Sequence, residues 1–128
     1  MVNYDETIKL FQNKPNIIKN NDVIKFEASL LYKNENCGNL FGETTFVKSL
    51  NINTQARVRK LYFNLCCGTI ISEGFSNTYN KNGLLTDSHE TIITGGTEKF
   101  EGITGKIITT RLNNNNNEHE HVLYFNYN

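Results

Sequence analysis

Thr94-Gly95-Gly96-Thr97-Glu98-Lys99-Phe100-Glu101-Gly102-Ile103-Thr104-Gly105 places four glycines within twelve residues. It follows an apolar run, Thr91-Ile92-Ile93, and precedes the β-branched segment 106–112. Glycine accepts positive φ and lets a second backbone come close, so such a cluster marks a forced chain reversal. Phe100 stands in the middle of the turn and is expected to pack inward beneath it. A phosphate-binding loop is excluded. The stretch has no Gly-x-Gly-x-x-Gly and no Lys-Ser/Thr pair, and strand-like sequence follows it where such loops open a helix.

Working outward, Val23–Tyr32 alternates with period two. Ile24, Phe26, Ala28, Leu30 and Tyr32 share one face, and Lys25, Glu27 and Ser29 the other, which predicts a strand. Residues 33–39 read as a loop, 43–52 as a second strand carrying Phe46 and Val47, and 58–72 as one long strand. That long strand has Leu61, Phe63, Leu65, Cys67, Thr69 and Ile71 on one face. Segments 74–80 and 84–93 pair around Asn80-Lys81-Asn82-Gly83, whose Asn-Gly is a strong hairpin signal. Segments 106–112 and 118–127 form another hairpin, with the asparagine run 113–117 at its tip. Near the start, Asn3 and Glu6 fit a capping box, and Ile8, Leu10 and Phe11 follow on a short helix that stops before Pro15. The expected organisation is an N-terminal helix and loop over 1–21 and an all-β domain over 22–128. Pattern alone leaves barrel and sandwich both open.

A chain of 128 residues suffices for one self-supporting core. Thirteen basic and thirteen acidic residues balance to zero, which argues against a broad affinity for nucleic acid or anionic membrane. No apolar run reaches the ~18–20 residues of a membrane-spanning helix. The first residues lack the basic and apolar regions of a secretory leader, and three cysteines do not make a disulfide framework, so a reduced, cytoplasmic setting is expected.

The glycine hairpin resembles the Thr-Gly-Gly-x-x-x-Phe-Glu-Gly-x-x-Gly hairpin of plant allene oxide cyclases. It is similar, less closely, to the Gly-Gly-Thr-Gly-x-Phe segment of dirigent proteins. Val122-Leu123-Tyr124-Phe125-Asn126-Tyr127 is similar to the aromatic last strand of both. The resemblance implies a closed, calycin-type, eight-stranded antiparallel barrel that assembles as a homotrimer. Its interior would take a small, mainly apolar molecule and, in an enzyme, fold a reactive intermediate for cyclisation or isomerisation, without metal or organic cofactor. Two departures stand out: Glu98 replaces a usual glycine, and Thr104 replaces the dirigent arginine.

The resemblance also nominates site residues. Phe26-Glu27-Ala28-Ser29 is similar to the cyclase aromatic-Glu-aliphatic-Asn pattern, which implies Glu27 as base or charge stabiliser and Ser29 as holder of a water or oxygen. Asn64-Leu65-Cys66-Cys67 is similar to Gly-Leu-Cys-aliphatic, which implies Cys66 as a polarisable wall; Tyr62, Asn64 and Phe46 are the expected ligand contacts. Alternation by itself is also satisfied by a wet outer face of Lys25, Glu27 and Ser29. His119 and His121 share a strand face and could bind zinc only with a third ligand from elsewhere. A solvated strand beside the asparagine run accounts for them, and His89 reads as surface. The competing classes are a non-catalytic, lipocalin-like carrier and a structural or assembly module.

Overall fold

The computed structural model describes residues 3–20, 23–47, 54–80, 88–112 and 118–127. Its strands are β1 (Glu6–Gln12), β2 (Asn16–Asn20), β3 (Val23–Tyr32), β4 (Glu35–Val47), β5 (Thr54–Leu65), β6 (Gly68–Asn80), β7 (His89–Gly96), β8 (Thr104–Arg111) and β9 (His119–Asn126). A single turn of 3-10 helix, Glu98–Phe100, joins β7 to β8. Every pairing is antiparallel, and sequence neighbours from β2 to β9 lie side by side. β1 pairs with β9 from Glu6↔Phe125 to Gln12↔His119, and with β3 at Phe11↔Leu31 and Gln12↔Leu30. β2 continues along the same side of β3, from Asn16↔Glu27 to Asn20↔Val23. The sheet is therefore a closed eight-stranded antiparallel barrel, in which β1 and β2 share one staves' width.

The expected N-terminal helix is absent: its residues form β1. Leu10 and Gln12 point into the barrel, 1% and 3% exposed, and so follow a period of two. A seven-residue helix gains little by itself, whereas the same residues as a strand satisfy the backbone edges of β9 and β3. The expected loop 33–39 belongs largely to β4, and 13–21 contains β2. The long strand 58–72 is two strands, reversed at Cys66-Cys67, with Leu65 paired to Gly68. Paired residues share a face, so the inward parity passes from Leu61 and Phe63 to Ile70 and Ser72; Thr69 and Ile71 face outward. Segment 48–52, the tip 81–83 of the Asn-Gly hairpin and the asparagine run 113–117 lie outside the described residues.

The glycine hairpin seals one end. Phe100 is 3% exposed beneath it and meets Phe125 edge-on, centroids 6.3 Å apart. The Thr97 amide donates to the Thr69 carbonyl at 2.9 Å and the Lys99 amide to the Cys67 carbonyl at 3.2 Å, tying the turn to β6 and the β5–β6 reversal. A side chain at Gly96 would collide with the Phe100 carbonyl, and one at Gly68 with the Thr97 carbonyl. Glu98 takes φ +52, the left-handed conformation that glycine adopts at no cost. Below the hairpin, Leu10, Leu30, Leu40, Leu61, Phe63, Ile70, Ile107, Leu123 and Phe125 fill the barrel, each at most 1% exposed. Burying each is worth roughly 1.5–3 kcal/mol. Among the described residues no helix is long and apolar enough to cross a membrane.

Candidate functional site

Away from the hairpin end, the inward faces change character on one strand after another. β9 runs inward from Phe125 and Leu123 to His121 and His119; β8 passes from Ile107 to Thr109; β7 passes from Ile93 to Thr91 and His89. β6 passes from Ile70 to Ser72 and Ser76, β5 from Phe63 and Leu61 to Arg59, and β1 from Leu10 to Gln12. Register sets these residues side by side, with His89↔Thr109, Thr109↔His121 and Gln12↔His119 as direct partners. The result is a polar layer across the barrel, stacked on the apolar core. None of the buried polar residues described carries a carboxylate.

His121 is fully buried at the centre of this layer. Its Nε2 lies 2.7 Å from Gln12 Oε1, and its Nδ1 lies 2.7 Å from Thr109 Oγ1. A carbonyl oxygen only accepts, so the proton sits on Nε2 and the Thr109 hydroxyl donates to Nδ1. Both bonds suit a neutral ring. Burial, and then the nearby charges of His119, Arg59 and His89, hold the His121 pKa well below the usual imidazole range. Phe63 meets this ring edge-on at 5.1 Å, and His119 stacks over it at 6.3 Å. His89 Nδ1 accepts a long contact, 3.5 Å, from the Arg59 guanidinium. Burial, with the Arg59 charge second, lowers the His89 pKa to about 4. Arg59 also stands 5.6 Å over the Phe26 ring, and Arg57 stands 4.8 Å over Phe46. Thr91 Oγ1 donates to Ser72 Oγ at 3.1 Å. No group of three His, Cys, Asp or Glu among the described residues is placed to hold a metal ion.

The scaffold has known counterparts. One solved structure, pyocyanin demethylase, superposes with a TM-score of 0.79 over 94% of this chain and 99% of its own, at 16% identity. A second, the pterocarpan synthase dirigent protein PsPTS1, gives 0.70 over 99% of both chains, at 10% identity. The fold is the dirigent and allene oxide cyclase type of barrel. No family model and no curated protein sequence matches the chain.

Within this dirigent-like barrel the residues nominated from sequence are scattered. The phase of β3 is set by Ala28 and Leu30, 3% and 0% exposed, so Lys25 and Glu27 face out. Glu27 is exposed and lines a shallow outer groove with Asn16, Lys25 and Phe41, rather than the interior. Ser29 faces the same way, and its Oγ accepts from Asn13 Nδ2 at 2.9 Å. Cys66 is exposed in the β5–β6 reversal, away from Glu27. Tyr62 faces outward beside Phe41 and Glu43, and Asn64 is exposed, its Oδ1 accepting from Thr69 Oγ1 at 3.2 Å. Phe46 alone of the set shares the inward side, in contact with Arg57.

Sequence reading placed His89, His119 and His121 at the solvated surface and did not name Arg59; all four are buried inside the barrel. The signal was present. His119 and His121 keep step with Leu123 and Phe125, and His89 with Thr91 and Ile93. Residues in phase with a buried apolar set share its face.

Proposed function

We propose that the dirigent-like barrel binds a small molecule carrying an anionic or ionisable group, which enters at the polar end and meets the Arg59, His89 and His119 side chains. The observation that carries this reading is the concentration of guanidinium and imidazole groups inside one barrel. Such groups recognise carboxylate, phenolate or enolate oxygen by charge and hydrogen bonding. The apolar floor beneath them suits a hydrocarbon or ring-bearing body. Fold neighbours named for acting on pyocyanin and for pterocarpan synthesis support a small-molecule role for the scaffold.

The reaction class that fits is isomerisation by proton transfer. His89 is held as the free base: once the substrate oxygen draws the Arg59 guanidinium, 3.5 Å away, off Nδ1, that nitrogen takes a proton from one substrate carbon and returns it to another, while Arg59 stabilises the negative charge that develops on the oxygen. An anion bound beside His89 raises its pKa towards neutrality, which couples substrate binding to basicity. Glu27 takes no part in this mechanism.

The test is a thermal-shift panel of aromatic carboxylates and phenols, each paired with its neutral amide or methyl ether. Anionic members are expected to raise Tm more than their neutral counterparts, and Arg59→Gln is expected to abolish that difference. Neutral members that bind as well as the anions across the panel would overturn the reading.

We further propose self-association through the outer face. Val58 and Phe75, direct partners across β5 and β6, are 45% and 58% exposed, and Ile92 on β7 is 52% exposed. An apolar stripe of this kind calls for a cover, and the expected assembly is a homotrimer.

A further inference from the structure

The hairpin end of the barrel holds a second group of reactive side chains, unconnected with the histidine layer. All three cysteines of the chain converge there: Cys37 on β4, and Cys66 and Cys67 in the β5–β6 reversal. They line one open pocket of about 240 Å³, walled by Ile8 and Leu65 and rimmed by Lys99. That volume is just below the ~300–1,000 Å³ of typical small-molecule sites, so it suits a small ligand.

The three thiols are not equivalent. Cys37 and Cys67 are half-buried and pack against the core, and the Cys37 thiol donates to the Leu30 carbonyl at 3.5 Å. Packing explains both, since cysteine serves as a small hydrophobe. Burial raises the pKa of each, with the neighbouring Cys66 thiol adding to the effect. Cys66 is exposed, so packing does not explain it. Lys99, whose amide is bonded to the Cys67 carbonyl, puts a positive charge beside the reversal. A metal role does not account for the group, because the thiols are not disposed as a three-ligand set.

We propose that this pocket binds a small apolar α,β-unsaturated ketone and that Cys66 captures it covalently. The Cys66 thiol loses its proton to solvent, and Sγ forms a bond to the β-carbon. The carbon–carbon π pair moves onto the carbonyl oxygen, giving an enolate stabilised by the Lys99 charge. The α-carbon then takes a proton from water. The sum is addition of a thiol across a double bond, with no oxidant and no leaving group. Cys66 is the attacking group because it combines access to solvent with a place on an apolar wall; Cys37 and Cys67 shape that wall.

The experiment compares pentyl vinyl ketone with methyl vinyl ketone on the full chain, following adduct formation by intact-mass spectrometry. The two share one reacting group and differ only in the apolar tail, so free glutathione serves to correct for intrinsic reactivity. The expected result is a rate that saturates with pentyl vinyl ketone and exceeds that of methyl vinyl ketone by about tenfold or more after correction, from burial of the tail. Peptide mapping should place the adduct on Cys66. Cys66→Ser should abolish it with the circular dichroism unchanged, while Cys37→Ser and Cys67→Ser should retain it. Equal corrected rates, a rate linear in ketone concentration, or an adduct on Cys37 or Cys67 would each overturn the proposal.

Discussion

His121 Nε2 and Gln12 Oε1, 109 residues apart in sequence, lie 2.7 Å apart inside the barrel. One side-chain hydrogen bond thus ties the first strand to the last, inside the backbone ladder that closes the barrel, and fixes the tautomer of the central histidine. Gln12→Ala removes the acceptor and strands a buried N–H, which costs about 1–3 kcal/mol. Urea unfolding of the variant should show the midpoint shift with an unchanged m-value; a midpoint like that of the native chain would show that the bond contributes nothing net.

Stability should depend on pH through His89. Its folded pKa, about 4, lies below the 6.5 of the unfolded residue. The unfolded state therefore binds the extra proton first. The contribution is complete above pH 6.5 and is lost as pH falls towards 4. His121, lowered in the same direction, adds to the slope. A shift of this size is worth roughly 3 kcal/mol. Urea midpoints between pH 4 and 7 should rise with pH, and His89→Gln should flatten the slope.

Binding of an anionic ligand beside His89 is expected to take up a proton near pH 6, since the ligand charge raises the lowered pKa. Calorimetry in buffers of different ionisation enthalpy measures that uptake directly. Heats independent of the buffer, for a ligand that Arg59→Gln no longer binds, would remove His89 from the proposed proton-transfer role.

The glycine hairpin should tolerate no side chain at Gly96, because a Cβ there meets the Phe100 carbonyl. Gly96→Ala is expected to cost several kcal/mol, comparable to the ~3–5 kcal/mol of Phe100→Ala. Gly95→Ala, whose Cβ would meet nothing within 4 Å, serves as the control. Thermal melts should place Gly96→Ala and Phe100→Ala well below the native chain and Gly95→Ala close to it.

Light scattering at tens of micromolar should give a mass well above the 14.7 kDa monomer if the outer stripe is an interface. Phe75→Glu sets a charge on that stripe and should return the chain to monomer without loss of fold. A native chain already monomeric would leave the apolar face uncovered and end the trimer reading.

The architecture was legible because period two and turn chemistry are local. Val23–Tyr32, the hairpin 106–127 and the inward Phe100 all followed from neighbouring residues, and the hairpin's resemblance chose a barrel over a sandwich. β1 was not legible, because Asn3 and Glu6 fit a local cap while the edges that recruit 6–12 come from β9 and β3. The same limit applied to the site. Alternation states which residues share a face, but not which face turns inward, and Glu27 was consistent with either. Only closure of the sheet decided that Ala28 and Leu30 look in and Glu27 looks out. Closure also brought His89, Arg59, His121 and Gln12 from four strands into one layer, a meeting that no spacing along the chain encodes. Sequence by itself determined the β class, the strand 23–32 and the hairpins at the glycine cluster and over 106–127, because backbone preference and turn geometry act over a few residues; it missed β1, β2 and the reversal at Cys66-Cys67. Tertiary structure decided the chemistry, because burial and proximity between distant strands exist only once the barrel has closed.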